Sequence, residues 1–198
     1  MSDEATSWFD RLYRTAAGDP SQIPWASQSA CPIVTDYLAA HPGPGRAIVI
    51  GCGIGDDSEA VAAAGYDTVG FDVSPEAIAW CRRRFPGSPV DYLVSDLFSL
   101  EDGWREAFDL VVEVRTVQSL PPDVRRAALC GVASLVAPAG SLLLVALARA
   151  EDVIPYGPPW AVSERDLDPL LDAGLEIVSF DTRSGGLWAD FVAVYRRI

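Results

Sequence analysis

Residues 47 to 74 read AIVIGCGIGDDSEAVAAAGYDTVGFDVS, and this stretch decides the fold. An apolar run leads into three glycines at alternate positions. Two acids and a short helical pattern come next, and a second apolar run ends at Asp72. A strand, a glycine loop, a helix and a second strand are typical of the βαβ unit of a parallel sheet. The stretch therefore predicts a ligand-binding loop at the carboxyl end of the first strand.

The same alternation of apolar runs and helical patterns continues along the chain. Strands are predicted near residues 46–51, 67–71, 90–94, 108–113 and 141–147, and helices near 57–64, 75–84 and 122–136. Ser74 is a suitable N-cap for the second helix, with Pro75 at its first position. The pattern favours a doubly wound, Rossmann-like α/β fold with a mostly parallel sheet.

The two ends of the chain complete this expected architecture. A helix is predicted over 163–175, followed by two strands joined at Ser184, Gly185 and Gly186. Such a hairpin adds an antiparallel C-terminal strand, giving about seven strands in all. Residues 1–44 hold two helix candidates, 5–16 and 29–40, that we interpret as a helical lid. We expect one domain over 1–198, with the lid at 1–44 and the core at 45–198.

Amino-acid composition limits the kinds of molecule that the protein is expected to bind. The formal net charge of −13 opposes contact with a nucleic-acid backbone, so we expect a small-molecule partner and no nucleic acid. There is no lysine, which excludes Schiff-base chemistry and a Walker-type phosphate loop. No apolar run is long enough to cross a bilayer, so no membrane partner is expected. We expect a monomer or a weak homodimer.

Cysteine and histidine usage bears on metal and location. The four cysteines show no CxxC pairing, and His41 is the single histidine, so no metal is expected. The N-terminus MSDEATSWFD has no leader pattern, so we predict a cytoplasmic location. His41 precedes the first strand in AAHPGPGR and is interpreted as a surface turn residue rather than a base.

The residues around the glycines indicate which ligand the loop holds. Gly51, Gly53 and Gly55 permit a tight turn or a close backbone approach to a ligand. Asp72, some 20 residues on, can accept hydrogen bonds from a ribose diol. An NAD pyrophosphate at the helix start would meet Asp56 and Asp57, whereas a ligand with a sulfonium and an ammonium group would be attracted. The loop thus favours S-adenosylmethionine (SAM) over NAD, and a purely structural turn is the alternative.

A third acid, Asp96 in VSDLF, follows the predicted strand at 90–94. In such a fold it lies where an adenine would project, and its carboxylate could accept the exocyclic amino hydrogens. For Asp72 and Asp96 alike, a solvated acid at a strand end or a helix cap is the simpler alternative.

Taken together, these motifs resemble class I SAM-dependent methyltransferases, and within them the group of thiopurine, thiol and halide methyltransferases. WFDRLY (8–13) with IPW (23–25) looks like the segment that closes over SAM in that group. GYDTVGFDVSPEAI (65–78), LPPDVR (120–125) and GPPWAVSE (157–164) are similar to its motifs after the second, fourth and fifth strands. The resemblance extends over nearly the whole chain.

The resemblance implies SAM as cofactor and S-adenosylhomocysteine as product. It implies contacts to SAM from Trp25, Gly51, Cys52, Gly53, Gly55, Asp57, Asp72, Val73, Asp96, Leu97 and Glu113. Family members often read ERT at the end of strand four, where this chain reads Glu113, Val114, Arg115 and Thr116. The extra Val114 leaves the match of Glu113 open, whereas Arg115 still matches and would sit near the methyl donor and acceptor. Arg115 and Glu113 are the candidate catalytic residues.

The sequence indicates the residues that would bind the methyl acceptor less clearly than those that would bind SAM. Glu113, Asp57, Tyr13 and Tyr156 are candidate bases, and the alternative is that no strong base exists. A thiol, halide or other soft or anionic acceptor would need none, and Arg115 could hold an anionic one. Tyr13, Trp25, Tyr156 and Trp160 could form an aromatic wall for it, although ordinary packing explains aromatic residues near prolines equally well.

The sequence therefore predicts a SAM-dependent methyltransferase acting on a small molecule. Two alternatives stay open at this point. One is a SAM-binding regulatory protein without catalysis, and the other is an NAD(P)-dependent oxidoreductase, whose fold signals overlap with these.

Overall fold

The computed structural model of the chain describes residues 3–184 and 188–198. Two compact units are distinguished, the first ending at Ser99 and the second beginning at Leu100. The expectation of one domain stays a prediction.

The first unit contains three strands and four α-helices. Its elements are α1 (Asp3–Ala16), α2 (Pro32–Ala40), β1 (Arg46–Ile50), α3 (Asp56–Ala63), β2 (Asp67–Asp72), α4 (Pro75–Arg84) and β3 (Asp91–Val94). The strands are parallel in the order β3-β2-β1. Their carboxyl ends therefore lie at one edge, as the first three predicted strands required.

Local sequence accounts for these elements. In β1 four consecutive residues are buried, as expected of a parallel strand covered on both faces. Ser74 caps α4, because its hydroxyl accepts a hydrogen bond from the Ala77 amide at 3.1 Å, and Pro75 follows at the first helical position. The predicted capping of this helix is confirmed.

The second unit contains four strands and two α-helices. Its elements are β4 (Phe108–Val114), α5 (Pro122–Leu135), β5 (Val136–Leu147), α6 (Asp168–Asp172), β6 (Leu175–Ser184) and β7 (Ala189–Arg197). Strand β4 pairs with β5 in parallel, and β7 lies antiparallel to both β5 and β6. The predicted antiparallel C-terminal strand is confirmed. Of the predicted hairpin turn, Ser184 ends β6, and Gly185 and Gly186 lie outside the described residues.

Two predicted boundaries in this unit were wrong. Strand β5 begins at Val136 rather than near 141, with a register shift between Phe108 and Leu110 on its partner β4. The helix expected over 163–175 is only a 3₁₀ turn at Arg165–Leu167 followed by α6. Pro169 explains this, since it has no amide hydrogen and fits only the first turn of a helix.

The seven strands and the helices between them form the expected class. It is a Rossmann-like α/β fold with a mostly parallel sheet and antiparallel C-terminal strands. Among the described residues, no helix combines the length and apolar character needed to cross a bilayer.

The glycine at position 55 offers a test of how tightly the first unit packs. Both Gly55 and Gly87 have positive φ, +97° and +86°, but only Gly55 is crowded. A Cβ on Gly55 would lie 2.6 Å from the Tyr92 hydroxyl, whereas one on Gly87 would meet nothing within 4 Å. We expect Gly55→Ala to cost about 1 to 3 kcal/mol more than Gly87→Ala in urea unfolding, because both share the strain of left-handed φ and only one overpacks. Equal losses would contradict this packing.

Candidate active site

The glycine loop, residues 51–55, connects β1 to α3. Gly51, Gly53 and Gly55 all have positive φ, at 57°, 56° and 97°. Gly55 serves internal packing, since a side chain there would collide with Tyr92. A Cβ on Gly53 would meet only the Tyr13 hydroxyl, at 3.3 Å. Of these two glycines, Gly53 is therefore the less crowded.

Two cysteines, Cys52 and Cys81, stabilise this loop by hydrogen bonds. Cys52 is buried, and its amide donates to the Phe71 carbonyl on β2 at 2.9 Å. The Cys81 thiol on α4 donates to the Gly53 carbonyl at 3.2 Å. Burial raises the pKa of the Cys52 thiol, so this cysteine stays protonated at neutral pH. Cys52 thus supports the loop through its backbone and is no nucleophile.

Asp72 is the polar centre of the first unit. Its Oδ2 accepts a hydrogen bond from the Gly53 amide at 3.0 Å, and its Oδ1 accepts one from the Ser74 amide at 2.9 Å. Burial raises its pKa to about 6, and the backbone hydrogen bonds from Ser74, Gly53 and Val73 offset part of that rise. The carboxylate is therefore mostly ionised at pH 7 and is fixed against the glycine loop.

Asp96 follows β3 at the same edge of the sheet. Its Oδ1 accepts the Phe98 amide at 3.0 Å and its carbonyl accepts the Ser99 amide at 2.8 Å, which closes a tight turn. The Ser95 amide donates to the Asp72 carbonyl at 3.1 Å, linking this turn to the end of β2. Leu97 is buried within the turn. The first unit thus brings the glycine loop, Asp72 and Asp96 together at one strand edge.

The acid pair after the glycines is arranged differently from what we expected. Arg84 on α4 binds both oxygens of Asp56, at 2.8 and 2.9 Å, so the charge of Asp56 is neutralised internally. Asp57 accepts the Cys31 amide at 2.7 Å. We expected both carboxylates to repel a diphosphate; because Asp56 is paired with Arg84, only the Asp57 charge of these two could do so.

The N-terminal residues dock on this edge through an aromatic cluster. Tyr13 is only 2% exposed, and its hydroxyl accepts a hydrogen bond from Trp25 Nε1 at 3.0 Å. Trp25 is 44% exposed and lies edge-on to Trp8 and Phe9. The buried neighbours of Tyr13 are Ala16, Ile23, Ile54, Ala77 and Trp80.

This cluster corrects the expected roles of Tyr13. Because Tyr13 is buried, it is a core residue and not part of an open aromatic wall. Burial also raises its pKa far above the ordinary value of a tyrosine. Tyr13 therefore cannot act as a base near neutral pH.

Sequence reasoning missed the role of Asp10, although it lies inside the quoted motif WFDRLY. On α1, Asp10 accepts hydrogen bonds from the Ser74 hydroxyl at 2.9 Å and the Glu76 amide at 3.2 Å. It also pairs with Arg14 at 2.7 Å. Nothing in the local pattern announces the bonds to Ser74 and Glu76, because these two partners lie more than 60 positions away.

Glu113, at the end of β4, is the acid of interest in the second unit. It is fully buried, and its Oε1 accepts the amides of Thr116 at 2.6 Å and Val117 at 2.9 Å. Among the described residues, no hydrogen-bond partner of its Oε2 is found. Burial raises its pKa to about 7, partly offset by these amides and by Arg115. Glu113 can thus hold or release a proton near neutral pH.

Arg115 is less free than we expected. It has a positive φ of 59°, and its guanidinium donates to the Asp190 carboxylate on β7. The Arg115 side chain is 47% exposed. An ion pair this exposed contributes at most about 1 kcal/mol, so an anionic ligand can compete for the guanidinium.

The loop after β5 carries the two remaining aromatic candidates. Tyr156 is 98% exposed, so it forms no packed wall, which corrects that expectation. Trp160 is partly buried, and its carbonyl accepts a hydrogen bond from Arg125 at 2.8 Å. Asp166 holds this loop by pairing with both Arg125 and Arg149, at 2.9 and 2.7 Å.

His41 is exposed at the end of α2, where its ring stacks on Tyr37. The expectation of a surface turn residue fits this position. Within residues 3–184 and 188–198, no group of three or more His, Cys, Asp or Glu side chains could hold a metal ion.

Comparisons with known proteins agree with this geometry. A family model described as a methyltransferase domain matches residues 47–140. "Probable thiol methyltransferase 2" of Arabidopsis thaliana is 28% identical over 185 residues, which cover 90% of this chain and 78% of the relative. "Thiocyanate methyltransferase 1" of the same plant is 29% identical over 166 residues, covering 80% of this chain and 70% of the relative.

A solved structure extends the likeness to the fold. The 1,6-didemethyltoxoflavin-N1-methyltransferase of Burkholderia thailandensis, with bound 1,6-didemethyltoxoflavin and S-adenosylhomocysteine, superposes with a TM-score of 0.75. The match covers the whole of this chain and 91% of that chain at 17% identity. The domain match, the named relatives and the fold of the solved neighbour together support a class I SAM-dependent methyltransferase.

Proposed function

We propose that the protein transfers the methyl group of SAM to a small, soft or anionic acceptor, such as a thiol, thiocyanate or a halide ion. The choice of SAM as cofactor rests on the Asp72 carboxylate, which accepts a hydrogen bond from the Gly53 amide at the strand edge. The acceptor class is supported by the names of the two plant relatives.

The residues of the first unit suit SAM. Because Gly53 has no side chain, it would let the ligand come close to the backbone beside the Tyr13 hydroxyl. A carboxylate has about four acceptor positions, so Asp72 can still accept from a ribose hydroxyl while it holds backbone amides. Asp96 would accept the adenine amino group, with Leu97, Val73, Cys52 and Trp25 as neighbouring contacts. Bound SAM supplies a methyl group on a sulfonium, which is already a good leaving group.

The protein's own contribution would then be positioning and exclusion of water. Of the candidate bases, Tyr13 holds its proton too tightly and Tyr156 is fully in solvent. Asp57 is engaged with the Cys31 amide, and Glu113 is the acid whose pKa of about 7 suits proton transfer. A thiolate or halide acceptor needs no base, and Arg115 would orient it by charge-assisted hydrogen bonds.

The proposal also covers the cellular location, the partners and the oligomeric state of the protein. All four cysteines are free, as in a reducing, cytoplasmic protein. The net charge of −13 disfavours nucleic acid. We propose a small-molecule acceptor, no metal, no membrane partner, and a monomer or weak homodimer. Incubation with SAM and a panel of thiocyanate, iodide and an aromatic thiol, followed by detection of S-adenosylhomocysteine, tests the acceptor class.

Replacing Asp72 tests the cofactor site. We expect Asp72→Ala to weaken S-adenosylhomocysteine binding by about 1.5 to 3 kcal/mol in calorimetry, the usual worth of hydrogen bonds to a charged group. Asp67, an exposed acid at the start of the same strand, gives the matched control Asp67→Ala, which should bind like the wild type. An unchanged dissociation constant for Asp72→Ala would remove this residue from the ribose site.

The Arg115 ion pair permits a test in both directions. Arg115→Ala should raise the KM for thiocyanate about tenfold, because it removes the proposed anion-orienting group. Asp190→Asn frees the guanidinium and should leave that KM unchanged or lower it. His41→Gln, an exposed change elsewhere, should stay within a few-fold of wild type. A normal KM in Arg115→Ala would argue against this role.

Glu113 makes a prediction about stability and pH. Burial raises the pKa of Glu113 from 4.5 to about 7. The protonated side chain therefore contributes fully to the free energy of unfolding below pH 4.5, and this contribution is lost as the pH rises to and through 7. Glu113→Gln keeps an acceptor for the two amides without the buried charge. Relative to wild type, its free energy of unfolding should be similar near pH 4.5 and higher by about 2 to 3 kcal/mol above pH 7. Glu176→Gln, on exposed β6, should show no such trend.

A further inference from the structure

A continuous chain of hydrogen bonds runs from α1 to the glycine loop. The Ser74 hydroxyl donates to Asp10 on α1 at 2.9 Å, and the Ser74 amide donates to Asp72 Oδ1 at 2.9 Å. The Gly53 amide then donates to Asp72 Oδ2 at 3.0 Å. Ser74 is thus held on one side by Asp10 and holds Asp72 on the other.

The burial of these groups makes the chain rigid. Ser74 is fully buried, so its hydroxyl has no water to replace a lost acceptor. Its oxygen already accepts the Ala77 amide, and its hydrogen therefore goes to Asp10. The Asp10 side chain is 17% exposed; its Oδ1 accepts the bonds from Ser74 and Glu76, whereas the exposed Arg14 pairs only with its Oδ2. Each member of the chain has its orientation set by the member before it.

Asp10 is one of several groups through which α1 docks. The helix is anchored independently by the buried Tyr13 and its apolar neighbours. Asp10 instead accepts from the Ser74 hydroxyl and the Glu76 amide, at the start of the helix that follows Asp72. A negative charge is also favourable at that helix start. What Asp10 adds is control over the turn that carries Asp72.

We propose that Asp10 is a positioning residue for the cofactor, acting through Ser74 to hold the Asp72 carboxylate in place for the ribose hydroxyls. The inference rests on the proposed SAM site at Asp72 and Gly53. It gives the N-terminal segment a function in binding that is separate from covering the ligand. It also makes Asp10 a determinant of cofactor affinity without direct contact to the cofactor.

A double-mutant cycle tests this role in the intact protein, with S-adenosylhomocysteine as the probe in calorimetry. Asp10→Ala should weaken binding about fivefold and Asp72→Asn about twentyfold. Because both changes interrupt one chain, the double variant should lose about twentyfold rather than the hundredfold of independent sites. A purely structural loss of helix docking would not produce this non-additivity.

Two further variants sharpen the result. Asp10→Asn keeps an oxygen that can accept from Ser74, so binding should recover to within about twofold of wild type. Arg14→Ala removes only the exposed ion pair and should bind like the wild type and combine additively with Asp72→Asn. Thermal unfolding of Asp10→Ala should remain a single transition, since the apolar anchor is intact.

The possible failures are distinguishable. If the wild-type protein gives no heat with S-adenosylhomocysteine, the proposed cofactor site falls and this inference falls with it. If the wild type binds but Asp10→Ala binds equally well, or the cycle is additive, only the positioning role is overturned. An Asp10→Asn variant as weak as Asp10→Ala would also overturn it, because charge alone would then explain the effect.

Discussion

The hydrogen bond from the Gly53 amide to the Asp72 carboxylate is the interaction on which the rest of the site depends. It joins the loop after β1 to the end of β2, so the shape of one fixes the other. The burial that raises the pKa of Asp72 also strengthens its hydrogen bonds, because little water competes for them. Asp96 joins the same edge through the Ser95 amide on the Asp72 carbonyl. A ligand at this edge would meet groups that are already oriented.

The acids near the loop show why charge alone does not define the site. The chain carries a net charge of −13, yet Asp56 is neutralised by Arg84, and Asp57 and Asp72 are held by backbone amides. Each carboxylate has a structural partner before any ligand arrives. This agrees with catalysis by positioning, in which the methyl donor is intrinsically reactive and the protein supplies orientation and a dry environment.

In the second unit, too, carboxylates hold the loops through ion pairs and backbone hydrogen bonds. Asp166 takes two arginines and so fixes the backbone that carries Trp160. Glu113 supports the turn after β4 through two amides, at the expense of a buried carboxyl group whose second oxygen has no hydrogen-bond partner among the described residues. A buried acid in this state is costly for stability, and such costs are typical of functional positions.

The sequence by itself determined the strands and helices around the glycine loop, the antiparallel C-terminal strand, the cap at Ser74 and the likeness to SAM-dependent methyltransferases. These follow from apolar periodicity and from residues a few positions apart, where local physics decides. Only the tertiary structure decided that Tyr13 is core, that Arg84 neutralises Asp56, that Asp190 pairs with Arg115, and that Asp10 reaches Ser74. Those ion pairs and hydrogen bonds join positions 28, 75 and 64 residues apart. No local pattern encodes such separations, because packing of the apolar faces brings these polar groups together and their pairing follows from that proximity.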